Sequence, residues 1–393
     1  MTNVTPPRTP APAPIAVRFT WPTRVLTGPG GLGALGTYAA ELGSRALIVT
    51  DTGVRQAGLV AAVENSLEAA DVPYAIYDEI ASDPSTHAVE GAAALLEEHA
   101  ADVVVAVGGG SPIDAAKAAA VVAARGGSIF DYEGVDRVVE PTLPLIAVPT
   151  TIGTGSEVTR GAVISDKENH RKMVVVDDQL YPRLAVLDPQ SVAQLPAPVA
   201  AATGMDALAH AIEGYTTKEA TPLSDALCLA AVRMIGRHLR PAVAGDPEAL
   251  NRMLQASCLA GAGFHNVGLG LAHALSSIVG GHYPVHHGVA TGLFLPHVMR
   301  FNLIASTTRF AEIAEALGEV RGERSERAFA ALAPESVAQL MHDIGVPTTL
   351  RQVDVPETAF AQIAEEALGH IDRPGNPRRN TRDDLAELCR QAL

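Results

Sequence analysis

Short β-rich runs recur through the first half of the chain, and that alternation constrains the fold more than any other feature. RALIVTD (45–51), VPYAIYD (72–78), ADVVVAVG (101–108), LPLIAVP (143–149), KMVVVD (172–177) and LAVLD (184–188) are the β-rich runs. Ala/Leu/Glu stretches such as GLVAAVENSLEAA and AVEGAAALLEEHAA separate the early ones. Strand alternating with helix at this pitch implies βαβ units and a largely parallel sheet. After Pro189 the texture changes, and residues 196–393 are long Ala/Leu-rich amphipathic segments broken by Pro and Gly. The expected fold is an α/β domain over 15–189 followed by an all-α domain over 190–393, behind a disordered Pro-rich leader at 1–14.

Bulk properties narrow the partners. The formal charge of −15, with no basic run, disfavours nucleic acid and anionic membrane. No apolar run reaches the roughly 18 residues of a membrane span. The N-terminal MTNVTPPRTPAPAP has no apolar core like that of a signal peptide. Cys228, Cys258 and Cys389 are an odd, widely spaced set that spells neither a disulfide framework nor a zinc knuckle, so a cytoplasmic location is expected.

Four residues have the chemistry of a metal site. Asp206 and His210 lie four apart in the Ala-rich run DALAHAIE, which puts them on one helix face, one turn apart. His273 and His287, fourteen apart in HALSSIVGGHYPVHH, could close the shell from downstream segments. Three neutral imidazoles and one carboxylate suit Fe²⁺, Zn²⁺ or Co²⁺ and suit Ca²⁺ or Mg²⁺ poorly. His286 beside His287 leaves the last ligand ambiguous by one residue. His265, His282 and His297 are read as structural.

Two glycine clusters compete for a dinucleotide phosphate. Gly28-Pro-Gly30-Gly31-Leu-Gly33 fits G-x-G-x-x-G, and Asp51 ends the next strand at about the expected distance. Pro22 marks the strand before it as an edge strand. The second cluster, Gly108-Gly109-Gly110-Ser111, runs from a buried-looking strand into a helix, with Ser111 as expected N-cap, Pro112 at the first helical position and Asp114 completing a capping box. Glycines let backbone approach a ligand, and a helix N-terminus offers free N–H groups to an anion. Asp51 would accept hydrogen bonds from a ribose and repel a 2′-phosphate, favouring NAD over NADP. Thr150, Thr151 and Thr154 in PTTIGTGSEVT could line the cofactor.

Taken in order, GGGSPIDAAKA, PTTIGTGSEVT, LDPQSVAQLPAPVAAATGMDALAHAIEGY, GFHNVGLGLAHAL and HHGVATGLFLPHVMRFN resemble the iron-containing alcohol dehydrogenase family. The resemblance implies the dehydroquinate-synthase-like architecture of a dinucleotide-binding α/β domain and a helical domain with one metal in the cleft between them. It assigns Asp206, His210, His273 and His287 as ligands of Fe²⁺, or alternatively Zn²⁺, which act on substrate through the metal. It places the pyrophosphate on Gly108–Ser111, sets Thr150, Thr151, Thr154 and Lys172 beside NAD, and puts Phe264 on the substrate channel. It also implies a homodimer or larger assembly. Ser277 stands where the family often has a second histidine, and His286 where it commonly has proline.

The expected activity is hydride transfer between NAD(H) and a small alcohol or aldehyde. Rival readings are a maleylacetate reductase-like or phosphonate-aldehyde reductase, and a lyase of the dehydroquinate-synthase type. Asp206 argues against the maleylacetate branch. Arg160 with Ser277 would suit an anionic aldehyde, although an exposed charge on a turn is the plainer reading of that arginine.

Overall fold

A computed structural model of the chain describes residues 18–169 and 171–393, so the leader expected at 1–14 lies outside the described residues. Among these residues the strands are β1 Arg24–Thr27, β2 Ala46–Val49, β3 Tyr74–Tyr77, β4 Val103–Gly108, β5 Gly134–Val135, β6 Leu145–Pro149, β7 Gly161–Asp166, β8 Arg171–Val176 and β9 Leu184–Leu187. Helices α1 Gly31–Leu42, α2 Thr52–Gln56, α3 Leu59–Ala69, α4 Thr86–Glu98 and α5 Gly110–Arg125 are interleaved with the early strands. After β9 the described elements are helical: α6 Ala197–Thr216, α7 Pro222–Val243, α8 Pro247–Phe264, α9 Leu271–His282 and α10 His287–Asn302. α11 Thr307–Ala316, α12 Glu326–Ala330, α13 Leu332–Asp343, α14 Phe360–Ala367 and α15 Arg382–Gln391 complete it.

The main sheet is parallel, in the order β1-β9-β6-β4-β2-β3. Its strands are apolar on both faces because helices cover both. Ile48, Val105 and Val186 pack under Leu35 of α1 and Val63 and Leu67 of α3. Leu47, Val49 and Val104 point the other way, against Val89 and Leu96 of α4 and Ile113 and Val121 of α5.

β5, β8 and β7 form a second, smaller sheet in which β7 and β8 are antiparallel. This hairpin departs from the expected parallel pattern. GAVISD alternates in burial, but its Gly, Ser and Asp dilute the apolar signal. α5 contacts both β4 of the main sheet and β7 of the small one, which is why its alanines at 115, 116, 118, 119 and 120 are buried on every side.

The sheet order reverses at β2, with β3 on one side and β4 on the other. Such a switch point opens a crevice beyond the carboxyl ends of the two strands. Asp51 follows β2, Gly109–Ser111 follow β4, and Thr150 follows β6. β1 is an edge strand, as Pro22 suggests. Gly28 and Gly30 turn the chain after it with φ of 112° and 90°. The start of α1 then meets its own anion, since Leu32 N–H donates to the buried Asp188 carboxylate at 3.0 Å. That turn is therefore satisfied internally.

In the helical half, α6 is the central element, packed by α7, α8 and α10. Every residue from Ala200 to Thr216 is buried. A helix rich in Ala and Gly is slim enough to be enclosed in this way, but any polar side chain on it then needs a partner.

Candidate metal centre

Three ionisable side chains project from one stripe of α6: Asp206, His210 and Glu213, at i, i+4 and i+7. His273 arrives from the first turn of α9, and His287 is the first residue of α10. His273 Nε2 lies 3.7 Å and His287 Nε2 3.6 Å from Asp206 Oδ1. The His210 and His273 rings stack with centroids 4.6 Å apart. Donors around a tetrahedral ion with bonds near 2.1 Å sit about 3.4 Å apart, so this spacing is that of ligands around a shared cation. Among the described residues, Asp206, His210 and His273 place a ligand atom each within 4.8 Å of one another. His287 approaches Asp206 but stands outside that trio, on the rim, with its side chain 37% exposed.

The inner three are buried, and their polar atoms show what they lack. Asp206 Oδ1 and His273 Nε2 are buried without a hydrogen-bond partner, and 3.7 Å is too long for them to serve one another. Their other polar contacts orient the donors. His273 Nδ1 donates to Glu213 Oε2 at 2.6 Å, and His210 Nδ1 donates to the Gly153 carbonyl at 3.2 Å. Each contact turns Nε2 of that ring toward the shared space. Glu213 also accepts from the backbone N–H groups of Gly270, Ala272 and His273, fastening the N-terminus of α9 to α6.

Electrostatics agree with a cation site. Burial would raise the Asp206 pKa, but the surrounding His210, His287 and His273 hold it well below the usual carboxylate range. Burial pushes His210 down to about 4, so it is a neutral donor near pH 7, and the more exposed His287 is lowered in the same direction. Burial also acts downward on His273, yet the Asp206 and Glu213 carboxylates outweigh it and bring this ring up to about 10, so near pH 7 its Nε2 carries a proton that a bound cation would have to displace. The space between the two carboxylates is where the site draws positive charge.

The centre opens into a cavity of ≈ 630 Å³. Gly110, Ser111, Thr154 and Lys172 line it on the strand-rich side, and Phe264 and Ser277 on the helical side, together with Asp206, His210, His273 and His287. Phe264 stacks on His210 at 4.3 Å. Lys172 Nζ is engaged by Asp83 Oδ1 at 2.9 Å. Asp51, Gly108, Gly109, Thr150 and Thr151 lie outside the lining. Asp51 caps α2 through Val54 N, and Thr151 packs behind the loop, with its Cγ2 3.0 Å from where a Cβ on Gly109 would be.

Some local expectations change. α5 begins at Gly110 with Gly109 as cap, two residues earlier than the expected Ser111 cap, and it has no side-chain cap. Gly109 turns the chain early, so Ser111 sits in the first helical turn facing the cavity. Asp114 forms no capping box; its carboxylate accepts from Ser156 Oγ and from Val163 N instead. His286 Nδ1 caps α10 by accepting from Gly288 N at 3.2 Å, which leaves His287 to face Asp206. His265 accepts from Arg160 N, while the Arg160 guanidinium is taken up by Asp136 and Asp178 and does not line the cavity. Glu213, three residues after His210, is the site residue that sequence reasoning missed; its position in DALAHAIE was the available signal.

Comparison with known proteins agrees with this geometry. Residues 22–189 match the family described as iron-containing alcohol dehydrogenase, and residues 200–393 match the C-terminal region of the Fe-containing alcohol dehydrogenase family. The chain is 39% identical over 378 residues to the NAD-dependent methanol dehydrogenase of Bacillus methanolicus, covering 95% of this chain and 99% of that protein. It is 40% identical over 369 residues to the lactaldehyde reductase of Escherichia coli K12, covering 93% and 96%. A crystal structure of a 1,3-propanediol oxidoreductase superposes with TM-score 0.95 at 38% identity, covering 96% of this chain and all of that one.

Proposed function

Because the chain belongs to the iron-containing alcohol dehydrogenase family, we propose that it is an NAD-dependent, metal-requiring oxidoreductase that passes a hydride between nicotinamide and a small alcohol or aldehyde. One observation carries the reading: two buried, unpartnered atoms, Asp206 Oδ1 and His273 Nε2, face the same cavity as the N-terminus of α5.

In this reading Asp206, His210, His273 and His287 hold one Fe²⁺, or alternatively Zn²⁺, whose Lewis acidity when bound polarises a substrate oxygen. Bound NAD supplies the hydride acceptor or donor. The chain's own residues do the positioning. Glu213 and the Gly153 carbonyl fix the proton of each inner imidazole at Nδ1 and aim Nε2 inward. The first N–H groups of α5, at Gly110 and Ser111, bind phosphate oxygens; helix starts leave such donors free. Thr154 and Lys172 flank that end of the cavity. Phe264 covers His210 with apolar surface and keeps water from that side of the ring. Asp51, at the end of β2, favours NAD over NADP.

The change from strands to helices after Leu187 supports a division into an NAD-binding domain to residue 189 and a metal- and substrate-binding domain from 190. Three buried, unpaired thiols at Cys228, Cys258 and Cys389 support a cytoplasmic setting. Family resemblance supports a homodimer or larger assembly. The test is absorbance at the NADH band with small aldehydes, after metal depletion and reconstitution with Fe²⁺ or Zn²⁺. NADH consumption that requires the added metal is expected. Turnover without net change in that band would point to a lyase of the dehydroquinate-synthase type instead.

A further inference from the structure

The cavity extends past the metal ligands to a wall that hydride transfer leaves without a role. That wall is the turn at 368–381, between α14 and α15. The turn is firmly held. Asn376, 1% exposed, donates to Asn302 Oδ1 at 2.8 Å and to the Arg378 carbonyl at 2.7 Å. The Gly375 carbonyl accepts from Lys218 N at 2.9 Å and Thr217 Oγ1 at 3.0 Å. The Arg373 guanidinium is occupied by Asn380 and the Leu368 carbonyl. A turn pinned in this way presents His370 and Asp372 to the cavity.

Both side chains arrive with capacity to spare. His370 Nδ1 accepts the Asp372 N–H at 3.3 Å, which places the ring proton at Nε2. Asp372 Oδ2 lies 3.5 Å from His370 Nδ1, too far for a hydrogen bond. Among the described residues, no hydrogen bond satisfies His370 Nε2 or either Asp372 carboxylate oxygen, although the two side chains are only 18% and 21% exposed. Burial pushes the Asp372 pKa up to about 6, as expected of a carboxyl that lacks a donor. Glu219 adds a second carboxylate to the lining, and the ammonium that lines the cavity, Lys172, is already engaged by Asp83. An anionic group would meet unneutralised carboxylates here, whereas a donor would meet acceptors.

We propose that His370 and Asp372 form a second polar subsite for the far end of the substrate, selecting alcohols and aldehydes that carry an additional hydrogen-bond donor, hydroxyl or ammonium, over those that carry an anion. This rests on the dehydrogenase reading above. A site built to bond a donor discriminates strongly against an analogue that lacks it, because its own acceptors are left unpaired.

The test compares the metal- and NAD⁺-loaded enzyme on 1-propanol, 1,3-propanediol, 3-amino-1-propanol and 3-hydroxypropanoate. The diol or the amino alcohol should exceed 1-propanol in kcat/KM by at least about tenfold, with 3-hydroxypropanoate the poorest. Asp372→Leu should collapse that ratio, mainly through KM, and His370→Phe should lower it. Asp372→Asn should restore it for the diol, if hydroxyl is the donor recognised, and not for the amino alcohol, which needs the charge. Crystals of the holoenzyme soaked in 1,3-propanediol should show one hydroxyl against the Asp372 carboxylate. A flat ratio with 1-propanol still oxidised, a preference for 3-hydroxypropanoate, or a ratio unmoved by Asp372→Leu and His370→Phe would overturn the subsite and leave the dehydrogenase reading standing. Failure of the wild type to oxidise any of the four, together with no metal-dependent NADH consumption on small aldehydes, would defeat both.

Discussion

Glu213 accepts hydrogen bonds from three backbone N–H groups of the α9 start and from the ring of His273 at once. It would not touch a bound cation, yet it sets which nitrogen of His273 can. Glu213→Gln puts an amide NH₂ among those donors, and metal affinity should fall about ten- to hundredfold, measured by competition with a chelator. Unchanged affinity would show that His273 needs no orienting partner. Glu157 makes the opposite case, a 1% exposed carboxyl whose Oε1 has no partner. Burial raises its pKa to about 7 from an ordinary 4.5. The folded protein then keeps a proton that the unfolded chain has lost between those values, so stability falls as pH rises through that window. Glu157→Gln should flatten the slope, by up to about 3 kcal/mol across the window. Chemical denaturation at several pH values reads it.

Helix starts and close helix crossings deliver the ligands. α10 crosses α6 so tightly that a Cβ on Gly288 would lie 2.1 Å from the Ala202 carbonyl oxygen. Gly288→Ala should therefore cost about 1–3 kcal/mol in denaturant unfolding, and it should loosen metal retention by moving His287 away from Asp206. At the crevice, Asp51 both ends β2 and caps α2. Asn is as good a cap as Asp, so Asp51→Asn should leave the melting temperature unchanged while shifting kcat/KM toward NADP. An unmoved NAD/NADP ratio would remove Asp51 from cofactor selection. The same elements show what a sequence can and cannot tell. Buried parallel strands such as VVVAVG announce themselves because helices on both faces demand apolar runs. β8 was legible as KMVVVD, but its partner β7 was hidden, because GAVISD is half polar and β-pattern reading depends on apolar contrast. Asp206 and His210 were legible because helical spacing fixes their relation, and Glu213 lies on the same stripe. Its partner His273 is 60 residues away, however, and no local pattern encodes that contact. The His286/His287 choice also turns on a contact that no sequence spacing encodes: His286 accepts the Gly288 N–H, while His287 faces Asp206.

Across the whole molecule, the strand-rich half contributes the α5 start with Thr154 and Lys172, and the helical half contributes every candidate metal ligand, with the cavity between them. The order of elements reflects that division: a sheet whose switch point opens beside an enclosed helix carrying unpartnered donors. The resemblance seen in the sequence extends over the chain at a level that local pattern could not reach, because relative placement of the halves depends on contacts such as His210 with the Gly153 carbonyl. Anomalous diffraction at the iron edge, from crystals grown with Fe²⁺, tests the central claim most directly. One peak is predicted, about 2.1 Å from a donor atom of each of Asp206, His210, His273 and His287. A peak elsewhere in the cavity, or none at that cluster, would contradict the account.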